Sequence, residues 1–239
     1  MMRIAFPIMV AIVSLCGDVF AAGNQTNPND TFPAIACRYE SSQQILASPH
    51  DTQSPATPTS SYLWRESDRV ETRDEGGETG ALWERSNAGV IFFRKLYHQA
   101  HKAIEYYPDD LRAAGNNLSW DAIASTFDPK LLGSALKRVA NENYLGREAE
   151  RYRGEVDGVV MEVVWLTQER IPAMVTKTAA NRVDTLRLAE IWPIEKAPWM
   201  RSTSVLLEQY RHLDFTDLGD IESDPFVKSV VSNAHDHHH

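Results

Sequence analysis

Cysteine is nearly missing from this sequence: Cys16 and Cys37 are the only two in 239 residues. A disulfide-stapled scaffold is thereby excluded, and stability has to come from a hydrophobic core, which a domain of this size can supply. Basic charge is also scarce, with 24 Lys and Arg against 33 Asp and Glu and a net charge of −9. An acidic surface repels a phosphate backbone, so nucleic acid is not an expected partner. Catalytic signatures are missing as well. There is no Gly-x-Ser-x-Gly elbow, no His-Glu-x-x-His, no Cys-x-x-Cys pair and no phosphate-cradling glycine loop. The expectation is a protein that is not an enzyme.

Long apolar runs are absent except at the start. Arg3 precedes an apolar stretch over residues 4–16, too short to cross a hydrocarbon core of ~30 Å as a helix. Small residues follow at Ala21 and Ala22. Residues 1–21 therefore read as a signal peptide, and the periplasm as the destination. Lipidation at Cys16 is the alternative, but Leu15 stands where such a signal wants a small residue. The remaining chain is expected not to span a membrane, and after cleavage Cys37 has no partner for a disulfide.

Residues 22–61 are rich in Asn, Thr, Ser, Pro and Gln and read as a disordered arm. A β domain is expected over residues 62–200. Residues 62–65 and 69–73 flank a polar turn, and residues 81–85 and 90–97 are joined by Ser86-Asn87-Ala88-Gly89, whose Asn and Gly tolerate a left-handed backbone. A further strand over residues 102–107 is stopped by Pro108. Asp128-Pro129 then supplies a helix start, and Leu131, Leu132, Ala135, Leu136 and Val139 recur at helical spacing, predicting a helix to about residue 143. Four strands follow over residues 147–153, 159–166, 171–178 and 182–192. In the second, Val159, Met161, Val163 and Trp165 make a wholly apolar face. Residues 201–239 read as an extension carrying an acidic stretch and a His-rich tail. The fold class is α+β: a mainly antiparallel, curved β-sheet, or half barrel, with a helical plug.

Three groups of residues carry candidate chemistry. His98 and His101 bracket a turn and could share a metal, although polar residues at a sheet rim satisfy the same pattern. Asp214, Asp217, Asp220, Glu222 and Asp224 offer oxygens but depart from the calcium-loop spacing. His235, Asp236, His237, His238 and His239 can bind Zn, Cu or Ni on chemical grounds, which makes a metal-handling accessory protein the alternative function. Otherwise no cofactor is expected.

The run Ile104-Glu105-Tyr106-Tyr107-Pro108 and residues 152–172, YRGEVDGVVMEVVWLTQERIP, are similar to steps in the periplasmic lipoprotein carrier and receptor family with the LolA/LolB-like fold. The resemblance covers residues 62–193. It implies a half-open barrel lidded by helices, with a lipid or lipoprotein acyl chain between them and another envelope protein as a further partner. Taken with the apolar strand faces, it points to Trp64, Phe93, Tyr106, Leu136, Met161, Val163 and Trp165 as the cavity lining.

Overall fold

The computed structural model describes residues 32–46, 57–221 and 223–236. The expected signal peptide, the Cys16 alternative, Glu222 and the tail residues His237, His238 and His239 lie outside the described residues. A single sheet organises the rest. Its strands are β1 (Ile35–Ile45), β2 (Thr59–Arg65), β3 (Arg69–Asp74), β4 (Thr79–Arg85), β5 (Ile91–Tyr97), β6 (Lys102–Tyr106), β7 (Leu136–Tyr144), β8 (Arg147–Val156), β9 (Val159–Leu166), β10 (Ile171–Ala179), β11 (Arg182–Pro193) and β12 (Arg211–Asp214). Their order is β12-β6-β5-β4-β3-β2-β1-β11-β10-β9-β8-β7. Every neighbouring pair is antiparallel except β12 with β6. The sheet is curved and open, so the fold is the expected α+β half barrel.

Among the described residues four α-helices accompany it: α1 (Pro108–Ala113), α2 (Trp120–Ser125), α3 (Ser204–Glu208) and α4 (Pro225–Asp236). Their starts are set locally. The Asp110 carboxylate accepts the Tyr107 backbone N–H at the head of α1, at 2.8 Å, with Pro108 in the first helical position. Ser119 Oγ accepts from the Ala122 N–H at the head of α2. Thr126 then ends α2 in a left-handed conformation, φ 54°.

Strand alternation sorts the side chains onto two faces. Leu63, Val70, Trp83, Phe93, Ile104 and Tyr106 share one face through the β2 to β6 registers. They belong to the main core, together with Trp120 and Ile123 of α2, Phe127, and Val227 of α4. Aromatic rings run across this face, with Trp83 stacked on Phe93 at 4.2 Å and Tyr106 on Phe215 at 4.6 Å. The intervening positions Leu82, Leu96 and Ala103 point the other way and form a smaller core with Leu207 and Tyr210. The chain from β11 to β12 therefore crosses this second face. Glu71 pins it there: the carboxylate, 1% exposed, accepts from the Ser202 N–H and Oγ and pairs with Arg69 and Arg73.

Three expectations are corrected by this architecture. The arm over residues 22–61 is not disordered throughout, because residues 35–45 are the strand between β2 and β11. Its polar residues occupy one face, where Arg38 donates to Glu190 and Glu40, while Cys37 and Tyr39 are buried on the other. The helix expected over residues 128–143 is a single 3₁₀ turn, Pro129–Leu131, followed by β7. Asp128 does cap that turn through the Lys130 N–H, but Gly133 adopts φ 80° and the chain becomes extended. Last, the boundaries drawn at residues 62 and 201 do not separate units, since β1 and β12 are strands of the same sheet.

Candidate functional site

The seven expected cavity residues are all buried, and the structure packs rather than exposes them. Phe93, Tyr106, Leu136, Met161, Val163 and Trp165 belong to one core, with Phe127 against Trp165 at 6.1 Å between ring centroids. Trp64 does not join them. Its register with Glu71 places it on the opposite face, under the Arg73 guanidinium at 5.2 Å. The core face is filled by the segment between Gly115 and Gly133, both in left-handed backbone. Helix α2 within this segment is anchored near both of its ends. Trp120 Nε1 donates to the Ser67 carbonyl at 3.0 Å, and Arg65 donates to the carbonyl of Ala124 at 3.0 Å.

A concavity lies elsewhere, where the sheet divides. The β10 and β11 ladder runs from Ala179 opposite Arg182 to Met174 opposite Arg187 and goes no further. Beyond it, β11 continues with β1 and β10 continues with β9. Bulges at Ala189 of β11, opposite Arg38/Tyr39 of β1, and at Ala173 of β10, between Pro172 and Met174, mark the level of the parting. Two tyrosines supply donors there: Tyr39 Oη to the Pro172 carbonyl and Tyr144 Oη to the Leu188 carbonyl, each at 2.9 Å.

The mouth of this division holds a pocket of about 260 Å³. Pro33, Ala34, Ile35, Trp192 and Pro193 form one lip, and Arg147, Gln168 and Glu169 form the other. Arg65 ties the lips together. Its guanidinium, wholly buried, donates to the Pro33 carbonyl on one side at 3.2 Å and to the Glu169 carbonyl on the other at 2.6 Å. Burial lowers its pKa to about 10, so it stays protonated at neutral pH. Phe32 closes over the cation, its ring 5.1 Å from the Arg65 guanidinium and 4.2 Å from that of Arg170.

Within the pocket, Arg147 Nη1 donates to Glu169 Oε1 at 2.7 Å. The other halves of both groups, Arg147 Nε and Glu169 Oε2, have no hydrogen-bond partner although they are buried. One donor and one acceptor are thus left at one place, beside the 40% exposed Trp192. Little in the sequence signals this arrangement. Arg65, Arg147 and Glu169 lie far apart in the chain, next to turns, and no local pattern marks them.

His98, His101 and His212 are each engaged by neighbours within the fold. Among the described residues there is no group of three or more His, Cys, Asp or Glu side chains placed to hold an ion. His98 Nδ1 is 2.8 Å from Tyr210 Oη, and both His98 and His101 pack edge-on against the Tyr210 ring. His212 Nδ1 meets Glu105 at 2.9 Å while its Nε2 meets the Leu207 carbonyl at 3.0 Å, so both ring nitrogens are engaged. In the acidic stretch, Asp214 accepts from Thr216 and Asp224 caps α4 through the Phe226 N–H. His235 and Asp236 close α4. Cys37 is fully buried, which pushes its thiol up to about 12 and leaves it without thiolate chemistry.

No family model matches the chain, and no curated protein is similar to it in sequence. Similar solved structures include PNGF-II in a C2 crystal form, with a TM-score of 0.44 and 8% identity over 84% of this chain and 33% of that one. MucB in complex with MucA(peri) gives a TM-score of 0.34 and 10% identity over 76% of this chain and 56% of that one. An outer membrane lipoprotein-sorting protein domain from Vibrio parahaemolyticus gives 0.31 and 9% over 73% and 92%. The chain spans about a third of the length of PNGF-II and just over half that of MucB. Likeness at these scores assigns neither a family nor an activity.

Proposed function

We propose that this chain is a non-enzymatic carrier or binding protein of the cell envelope, taking a lipid or lipoprotein acyl chain against the core face of its half barrel. The observation that carries this reading is how the face is covered. Between Gly115 and Gly133 the cover is a six-residue helix and one 3₁₀ turn, which insert Trp120, Ile123 and Phe127 into the core. Such short helices are held by tertiary contacts and not by their own hydrogen bonds. An acyl chain offering equivalent apolar contact can take their place, because the contacts are non-directional. Burying a methylene contributes ~0.8 kcal/mol, so about ten of them reach micromolar affinity. The role needs no catalytic residue and no cofactor. Its partners are a lipid or lipoprotein and another envelope protein. Among the described residues no helix is long and apolar enough to cross a membrane. Placement in the periplasm rests on the apolar N-terminal segment.

Native mass spectrometry of the chain purified from a periplasmic extract tests the reading. A lipid-sized adduct is expected, lost on delipidation and regained on addition of palmitate or a lipopeptide. A protein that stays bare under all three conditions rules the reading out.

A further inference from the structure

We infer that the acyl ligand of the half barrel is anionic at its head, and that Lys95 and Tyr97 of β5 receive its carboxylate or phosphate oxygens. This rests on the carrier reading above and names the class of ligand that the same face takes. Strand alternation puts Lys95 on the core face. It stands opposite Ala81 of β4 and Ile104 of β6, both wholly buried, with Phe93 and Tyr97 two residues away on either side. A lysine is out of place in such a row. Inward-pointing charge can guard the edge of a sheet, but β5 is an inner strand, paired on one side with β4 and on the other with β6.

β2 to β6 turn four cations to this face: Arg65, Arg85, Lys95 and Lys102. Three are engaged. Arg65 donates to backbone carbonyls, Arg85 pairs with Asp68 at 2.9 Å, and Lys102 pairs with Asp224 at 3.5 Å and lies over the Phe226 ring at 4.2 Å. Lys95 has neither a hydrogen-bond acceptor nor an ion-pair partner among the described residues. Asp74 attracts it from a distance, its carboxylate accepting from the Thr79 hydroxyl instead. Burial lowers the Lys95 pKa, as expected of a cation that has given up water without gaining a counter-ion. An incoming oxyanion reverses that loss. The Tyr97 hydroxyl is a second donor without an acceptor among the described residues, and both side chains keep part of their surface in solvent. An ammonium and a hydroxyl on one face of one strand suit a single carboxylate or phosphate. From this head an apolar chain runs over Phe93 and Trp83 toward α2, whose Trp120 lies under the Arg85 guanidinium at the far end of β4.

The test is isothermal titration calorimetry of the full chain at pH 7 with decanoate, decyl phosphate and decanol, each kept below the concentration at which it self-associates. Both anions are expected to bind about tenfold or more tightly than decanol, and the tighter of the two identifies the head group. In Lys95→Met, which keeps an apolar stem of similar length, all three should bind within about twofold of one another, and Lys95→Arg should restore the preference. Tyr97→Phe should weaken both anions by about threefold. Equal affinity of the wild type for the three amphiphiles overturns the inference and leaves the carrier reading in place. A preference for the anions that survives in Lys95→Met also overturns it. Binding of none of the three overturns both.

Discussion

The Tyr39 hydroxyl donates to the carbonyl of Pro172, 133 residues further along the chain, at 2.9 Å. Neither residue belongs to the other's strand pair: β1 meets β11 and β10 meets β9 at this level. The bond spans the place where the sheet divides, and it satisfies a carbonyl that the ladder leaves behind. The division is therefore built from specific side chains, and its stability can be tested one side chain at a time.

Arg65 is the first of these. It is buried and donates to carbonyls of Pro33, Ala124 and Glu169 without a carboxylate ion pair to neutralise it. Arg65→Met keeps most of the volume but strands these acceptors, and a loss of about 3–5 kcal/mol is expected. Urea unfolding of the two proteins measures it. A loss below about 1 kcal/mol would mean that water replaces the guanidinium and that the lips do not depend on it.

Glu71 and Ser202 make the second test. Glu71→Gln weakens two ion pairs and a paired acceptance from Ser202, with an expected cost of about 2–4 kcal/mol, whereas Ser202→Ala removes one hydroxyl and should cost about 1 kcal/mol. Hydrogen exchange locates the effect. In Glu71→Gln, protection should fall first over residues 199–210, which cross the second face, while β9 and β10 remain protected.

His98 gives a pH dependence with a defined sign. Burial, followed by the nearby Arg73, lowers its pKa from 6.5 to about 4, against the opposing pull of Glu71 and Asp74. The unfolded chain takes up this proton first. Stability present above about pH 6.5 is then lost as pH falls toward 4. His98→Gln stays neutral and can still bond Tyr210, so the stability gap between wild type and variant should change by on the order of 2 kcal/mol from pH 7 to pH 4. Parallel stability curves for the two proteins would show that His98 does not titrate in this way.

Gly154 is required by close approach. A Cβ there would stand 2.3 Å from the Ala135 carbonyl oxygen and 3.1 Å from Leu136 Cα, both backbone atoms. Gly154→Ala is expected to cost about 1–3 kcal/mol by pushing β7 from β8. Gly146→Ala, at φ 77° with open space around it, should cost about 1 kcal/mol from backbone strain alone. Thermal unfolding compares the two.

Cys37 should resist thiol reagents at pH 8 in the native protein and react fully once guanidinium unfolds it, since burial both hides the sulfur and raises its pKa to about 12. Rapid native reaction would show that the β1 and β2 seam opens readily.

Much of the sheet was legible because its hairpins carry their own turn chemistry. Asp157 and Gly158, both in left-handed backbone, join β8 to β9 where an Asp-Gly turn reads plainly in the sequence. The elements that were misread depend on distant partners. β1 alternates Cys37 and Tyr39 with Arg38 and Glu40, but its polar setting hid an alternation that only β2 and β11 make sense of. In β7, Leu136 is buried while Val139 is 57% exposed, so the apolar spacing that suggested a helix never formed one buried stripe. The candidate site was illegible for the same reason. Its lips come from the starts of β1 and β8, the end of β11 and the β9 to β10 turn, and only tertiary structure brings these together. The expected cavity residues were apolar and buried, but apolarity cannot distinguish a lined cavity from a filled one.

The position of β1 also orders events in time. β2 to β6 and β7 to β11 are two meanders of sequence-local hairpins, and each can assemble as soon as it is made. What joins them is an early strand whose second partner is residues 182–193. Most of the polypeptide must therefore exist before the seam can close, and contacts of such separation form slowly. The two meanders therefore stay unjoined until residues 182–193 are made.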